Sequence, residues 1–266
     1  MRDKEYSNDL NDAKSTGSAL GKGLVILETL AESTRGLSVA EMLTRIDLPK
    51  QTVHRVVGQL EDLGLIARGH GGDRYHFADR LRRLAQTVLT NGAQTHITHR
   101  ILTDLVGELG ETCNIGVLDG TEVLYIDRVE CHWPLRMQLR PGSRVPAHCT
   151  ALGKLLLAHL EPSRARYLLK GLPLEQFTPH TLVTADALES AFETIRKQGY
   201  AVNEEEDFLG LSALAVPVRD ASGRVMAGLA VHAPIARFPL SRMLERSHLL
   251  EEAAQRVGAA LFPPSR

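Results

Sequence analysis

Little in this sequence would cross-link the chain or carry it into a bilayer. Its three cysteines, Cys113, Cys131 and Cys149, lie far apart in 266 residues; an odd number at such spacing makes no disulfide framework and fits reduced thiols in a cytosol. No apolar run reaches the roughly 20 residues that a membrane-spanning helix needs, and Met1 to Lys14 is polar and charged with no apolar run, so the start reads as a disordered arm and not as a secretion signal. A charge excess of one sign is also missing: 31 Lys and Arg stand against 32 Asp and Glu, for a net charge of -1. Any contact with a polyanion must therefore come from a local basic patch. With 43% hydrophobic and 24% charged residues, the composition excludes disordered and fibrous chains, and the length suits two ordinary domains.

What is present begins with helical punctuation. Leu20, Val25, Ile26, Leu27 and Leu30 follow an approximate helical period that ends near Gly36. Ser38 and Glu41 then make a capping box for a short second helix ending near Arg45. Pro49 stands where a first helical residue belongs, and a third helix is expected from Pro49 to about Leu63. Its stripe of Val53, Val56, Val57 and Leu60 turns Lys50, Gln51, Thr52, His54, Arg55 and Gln59 outward, mostly near the N-terminal end that a recognition helix inserts first. Leu65 to Arg68, a glycine-rich turn and Tyr75 to Phe77 have the form of a strand, turn and strand, or wing. The series makes a winged helix-turn-helix for double-stranded DNA, with Ser38 and the wing residues Arg68, His70 and Arg74 as further contact candidates. Taken singly, Lys50 or Arg55 is an ordinary surface charge; the ordered elements carry the reading.

Leu81, Leu84, Ala85 and Val88 form the apolar stripe of an amphipathic linker helix, which either a second copy of the chain or its own domain would bury. Asn91-Gly92 interrupts it before another helical stretch, Ile97 to Leu109. Beyond lie a hairpin through Asp119-Gly120, expected as a type I′ turn, and a strand over Pro134 to Arg140 that puts Trp133, Leu135, Met137 and Leu139 on one face. Helical patterns follow at 151–160, 163–169 and 185–198, then strands at 211–218 and 224–232 and one terminal helix over 241–261. Strands flank a block of helices without βαβ alternation, so the fold class is α+β with an antiparallel sheet. The organisation expected is an arm over 1–18, the winged domain over 19–78, a linker helix over 79–95 and a pocket domain over 96–266.

Three separated motifs then resemble one family. Leu48-Pro49-Lys50-Gln51-Thr52-Val53-His54-Arg55, Pro146-Ala147-His148-Cys149-Thr150-Ala151-Leu152-Gly153-Lys154 and the run from Gly199 to Glu206 followed by Gly210 to Val218 are similar, in that order, to motifs of the isocitrate lyase regulator (IclR) family. The resemblance spans Leu20 to Leu261. It implies a GAF-like effector-binding domain and a cytoplasmic homodimer or homotetramer that reads a palindromic operator near a catabolic operon and needs no cofactor or metal. By family position, the helix that follows the Pro-x-His motif receives a small organic acid on the amides of Ala151 and Leu152, near His148, with Asn203, Leu211, Ala213, Ala230 and His232 completing the pocket. A helix start with unpaired N–H groups suits a carboxylate. Ala213, Ala230 and His232 replace the small polar side chains of the family's keto-acid binders; with Trp133, Met137 and Leu139, which suit core or interface packing equally well, that departure points to a bulkier, partly apolar or aromatic carboxylate.

Two other readings compete. Cys131-His132 and His148-Cys149 invite a cysteine nucleophile or a metal site, but neighbours in an extended strand point to opposite faces and no ligand spacing is present. The winged domain as a mere protein adaptor would lack the steep salt dependence of DNA binding.

Overall fold

The computed structural model describes residues 18–33, 35–69, 72–91, 94–134 and 139–263. They divide into two compact units, the boundary falling between Val88 and Leu89.

The first unit opens with α1 (Ala19–Ala31), whose N-cap Ser18 accepts from the Gly21 amide. Then come β1 (Leu37–Ser38), α2 (Val39–Leu43), α3 (Lys50–Asp62), β2 (Ile66–Arg68), β3 (Arg74–Phe77) and α4 (Asp79–Asn91). The apolar stripe of α3 meets Ile26 and Leu30 of α1 and Met42 of α2 in one core. Two local expectations change. Pro49 is the N-cap of α3 and not its first residue, so the helix starts at Lys50 without a side-chain cap. The wing gains a third strand, since Leu37 and Ser38 pair with Tyr75 and Arg74 in an antiparallel sheet of order β1-β3-β2. Two residues are too short to show a period. His70 lies outside the described residues.

The second unit runs α5 (Gln94–Leu109), β4 (Thr112–Asp119), β5 (Glu122–Val129), β6 (Arg144–Pro146), α6 (Ala151–Ala158), α7 (Pro162–Gly171), α8 (Ala185–Gln198), β7 (Ala201–Glu204), β8 (Leu211–Arg219), β9 (Val225–Pro234), α9 (Leu240–Glu245) and α10 (Ser247–Leu261). The six strands form one sheet in the order β6-β5-β4-β9-β8-β7, and every neighbouring pair is antiparallel. Strand alternation gives each face its own core. Leu229, Val231 and Ala233 of β9 pack with α5 and α10, while Ala230 joins a second core made with α6 and α8.

Here too the boundaries differ from expectation. The Asp119–Glu122 pair closes the first hairpin around Gly120 and Thr121, and only Gly120 has a positive φ, so the turn follows the II′ pattern and not I′. Residues 135–138, including Met137, lie outside the described residues; Leu139 and Arg140 are not in a strand, and the sheet is extended instead by β6. The terminal helix breaks at Arg246 into α9 and α10.

A β-bulge at Ile115/Gly116 sets which way β5 faces. Gly116 pairs with Tyr125 but Ile115 pairs with Asp127, so Ile126 is the extra residue. Tyr125 and Arg128 therefore share the α6 face, while Asp127 turns to α5, where Thr98 Oγ1 donates to it at 2.7 Å.

Helix α6 lies unusually close to this sheet. A Cβ on Gly116 would stand 3.2 Å, and one on Gly228 2.5 Å, from the methyl carbons of Leu152. One on Gly153 would stand 2.1 Å from the Ala147 carbonyl oxygen, closer than any real contact. At Gly153 the obstacle is backbone and only glycine fits, while at Gly116 and Gly228 a Cβ would push against side-chain methyls. Gly153→Ala is therefore expected to lower stability by about 1–3 kcal/mol through overpacking, read as a fall in the denaturant midpoint, whereas Gly171→Ala, with open space around its Cβ, stays near wild type. Equal midpoints for the two variants would refute the close seat.

Candidate functional site

A cavity of about 30 Å³ lies between the start of α6 and the sheet, lined by Asn114, Tyr125, Thr150, Ala151, Leu152, Asn203, Asp207, Leu211, Ser212, Ala213, Ala230 and His232. Register explains the convergence. Thr112, Ala213 and Asn203 stand in one cross-strand row with His232, and Arg128, Asn114, Ala230 and Ala215 in the next, on the α6 face. Thr150 caps the helix above them: its Oγ1 accepts from the Gly153 amide at 3.2 Å and donates to the Pro146 carbonyl at 2.8 Å. Ala151 and Leu152 occupy the first two helical positions, whose N–H groups have no acceptor within the helix. The positive end of α6 therefore faces the cavity.

The polar lining is held in fixed orientations. Nη2 of Arg128 lies 3.3 Å from Nε2 of His232, so that nitrogen accepts, and Nδ1 of His232 donates to Asn114 Oδ1 at 3.2 Å. Burial, and then the Arg128 charge, push the His232 pKa down to about 3, so the ring is neutral. On the far side Asn203 Nδ2 donates to Asp207 Oδ1 at 2.6 Å, while Asn203 Oδ1 accepts from the Glu206 amide at 2.8 Å. Burial raises the Asp207 carboxyl above its ordinary range.

Seven of the eleven effector candidates thus meet at one place, and the others do not. Trp133 is half exposed, with Arg237 stacked 5.1 Å from its ring centroid. Leu139 packs at the margin of the α6 core. His148 is buried; its Nε2 donates to the Glu175 carbonyl at 2.9 Å and its ring lies 5.9 Å from Phe177. Met137 is outside the described residues. Asn114, Tyr125, Thr150, Asp207 and Ser212 were not foreseen. A larger hollow of about 620 Å³ opens beside α10, but it meets the C-terminal end of α8 and offers no helix start.

In the first unit Lys50, Gln51, His54, Arg55 and Gln59 are exposed on α3 and Thr52 is half-buried, with Arg55 Nη1 donating to Gln59 Oε1 at 3.2 Å. A basic, polar helix face thus stands clear of its core.

Residues 19–69 match the model of the IclR helix-turn-helix domain, and residues 86–259 match that of the bacterial transcriptional regulator IclR C-terminal domain. The chain belongs to the IclR family. It is thus a DNA-binding transcription regulator with an effector-binding domain. The probable transcriptional regulator SauR of Cupriavidus necator is 44% identical over 82% of this chain and 87% of that protein. The IclR of Thermotoga maritima superposes with a TM-score of 0.61 at 30% identity, covering 91% of this chain and 98% of that one. An IclR homologue from Microbacterium hydrocarbonoxydans, solved with 4-hydroxybenzoate, gives a TM-score of 0.58 at 25% identity over 92% and 99% of the two chains. Among the described residues no group of three or more His, Cys, Asp or Glu side chains is placed to hold a metal ion, and no helix is long and apolar enough to cross a membrane.

Within this IclR-family domain, Ser38 and Arg74 are committed to structure. The Ser38 hydroxyl accepts from the Glu41 amide at 3.2 Å, its own amide donates to Glu41 Oε2 at 2.9 Å, and Arg74 reaches both Glu41 Oε1 at 2.6 Å and the Gly36 carbonyl at 2.9 Å. Arg68 donates to the Tyr75 hydroxyl at 2.9 Å with most of its side chain in solvent, so it is the freer cation of the wing. The Ser38 amide and then Arg74 hold the Glu41 carboxyl down at about 2, against an ordinary 4.5. A depressed acid pKa stabilises the fold above its unfolded value and ceases to do so as pH falls through the folded one. The winged unit should therefore lose stability between about pH 4.5 and 2, and Glu41→Gln should flatten that slope in acid-unfolding curves while destabilising the protein at neutral pH. An unchanged slope would refute the network.

Proposed function

We infer that this regulator holds operator DNA through the outer face of α3 and binds a short organic acid in the cavity beneath α6, acting in the cytoplasm on a catabolic operon. One observation carries the reading: the lining converges polar side chains on the open N-terminus of α6. Such an end receives an anion through its free amides and dipole. Volume favours an acid of few heavy atoms, because about 30 Å³ accommodates two or three waters at roughly 10–15 Å³ apiece. A second reading, an aromatic carboxylate, is favoured by the likeness to the 4-hydroxybenzoate-bound homologue and requires the cavity to widen. Calorimetric titration separates the two: saturable binding of two- and three-carbon acids without 4-hydroxybenzoate supports the first, and the converse supports the second. Silence toward every acid removes both.

Effector binding then tunes how two winged domains meet half-sites about one helical turn apart. The acid must bind one arrangement more tightly than the other, since equal affinity shifts nothing. A homodimer or homotetramer supplies the two domains. Leu84 and Val88, one turn apart on α4 and both more than half exposed, offer the face that a second copy covers. Glutamate at both positions should shift the protein toward monomer in sedimentation, and an unchanged assembly would place the interface elsewhere.

The division of labour is directly testable with duplexes from upstream of its own gene. Arg55→Ala should weaken specific DNA binding by about 1–3 kcal/mol, roughly five- to 150-fold, and leave acid titration intact. His232→Leu should do the reverse. Wild-type affinity should fall steeply with salt. Equal damage to both functions by either variant would break the assignment.

A further inference from the structure

The cavity is electrically lopsided. At one end the first amides of α6 present positive potential. The lining also includes Asp207, its only carboxylate; no Lys or Arg is among the lining residues, and His232 is neutral. Asp207 is also pinned. Its Oδ1 accepts from Asn203 Nδ2 at 2.6 Å and from the Phe208 amide at 2.9 Å, which leaves Oδ2 without a protein donor among the described residues. Asn203 is fixed in turn by the Glu206 amide at 2.8 Å. Of the remaining polar groups, Asn114 Oδ1 receives His232 and both His232 nitrogens are engaged, while the Tyr125 hydroxyl lines the cavity beside Asn114.

In so small a cavity, an acid seated with its carboxylate on the α6 amides has its remaining polar atoms close to this acceptor. A keto or second carboxylate oxygen there would face Asp207 lone pair to lone pair, whereas a hydroxyl or ammonium would donate to Oδ2. We propose that Asp207 is a specificity-determining residue that selects short acids carrying a hydrogen-bond donor beside the carboxylate, hydroxy acids or amino acids, over keto acids and diacids of the same size. This rests on the reading that the cavity under α6 is the effector site. The physical basis is the cost of covering a part-buried acceptor with a ligand that offers it no donor: a site built to hydrogen-bond a donor rejects the analogue that lacks it far more strongly than an apolar pocket rejects a methyl group. Burial has already raised the Asp207 carboxyl, so a donor at Oδ2 relieves a desolvated charge.

Three acids of one size provide the test. L-Lactate, L-alanine and pyruvate differ only at the second carbon, which bears a hydroxyl, an ammonium or a keto oxygen. Calorimetric titration of the full-length protein should show lactate or alanine binding at least tenfold more tightly than pyruvate. In Asp207→Asn, which keeps the side-chain shape but turns an amide donor toward the cavity, that preference should shrink tenfold or invert. Pyruvate binding as well as or better than both others in wild type, with Asp207→Asn leaving the order unchanged, overturns the role of Asp207 and leaves the cavity as the effector site. Failure of all three to bind wild type, while an aromatic acid does, overturns the short-acid reading together with it.

Discussion

Everything in the second unit depends on how near α6 can come to the sheet. Leu152 reaches down to the two positions, Gly116 of β4 and Gly228 of β9, where the sheet has no side chain to hold it off, and Gly153 lets the same turn lie on the Ala147 backbone. Three absent methyl groups set a distance. That distance decides that the cavity is small, that the first amides of α6 reach it, and that Asn114, Ala230 and His232 stand opposite them. Larger residues at the glycine positions would lift the helix and convert a polar niche into an open trough.

The same helix also holds the loop between β7 and β8. Lys154, one turn into α6, forms a buried ion pair with Glu206 in the loop between β7 and β8, immediately before Asp207. Around it Thr178 and Thr181 donate to the carbonyls of Glu205 and Glu206, each at 2.6 Å. A buried pair of this kind does little for net stability, since desolvation offsets the attraction, but losing one partner leaves an uncompensated charge. Burial raises the Glu206 carboxyl even with Lys154 beside it, so the balance is fine. The pair registers the acidic loop against the helix and thereby fixes where Asp207 stands.

Period and punctuation made the winged domain and most helices legible. The stripe of α3, the Ser38–Glu41 capping box and the span 185–198 of α8 are local features, and local features survive folding. The cavity was readable only as far as the resemblance carried it. Asn114 left a faint trace, a polar residue amid the apolar run of β4, and Thr150 a plainer one as an N-cap three residues before Gly153. Asp207 left none: it ends the run Glu204-Glu205-Glu206-Asp207, which reads as a solvated loop, and only pairing with Asn203 and the burial of Glu206 turn it inward. Trp133 misled for a related reason. An aromatic near a pocket motif in sequence need not be near it in space, and this one stacks on Arg237, itself bidentate to Glu111.

His232 shows how burial decides the character of the site. A histidine in a ligand cavity invites a reading as a proton switch, since its unperturbed pKa lies within the physiological range. Here the ring sits beside the Arg128 guanidinium with little water to solvate a second positive charge, and its pKa falls to about 3. It remains a neutral relay between Arg128 and Asn114 across the range in which the protein works. The cavity is therefore polarised by fixed groups, the helix end and a pinned carboxyl, and not by proton uptake at its histidine. Fixed dipoles need no reorganisation when a ligand arrives, so discrimination rests on where the ligand's own donors and acceptors fall.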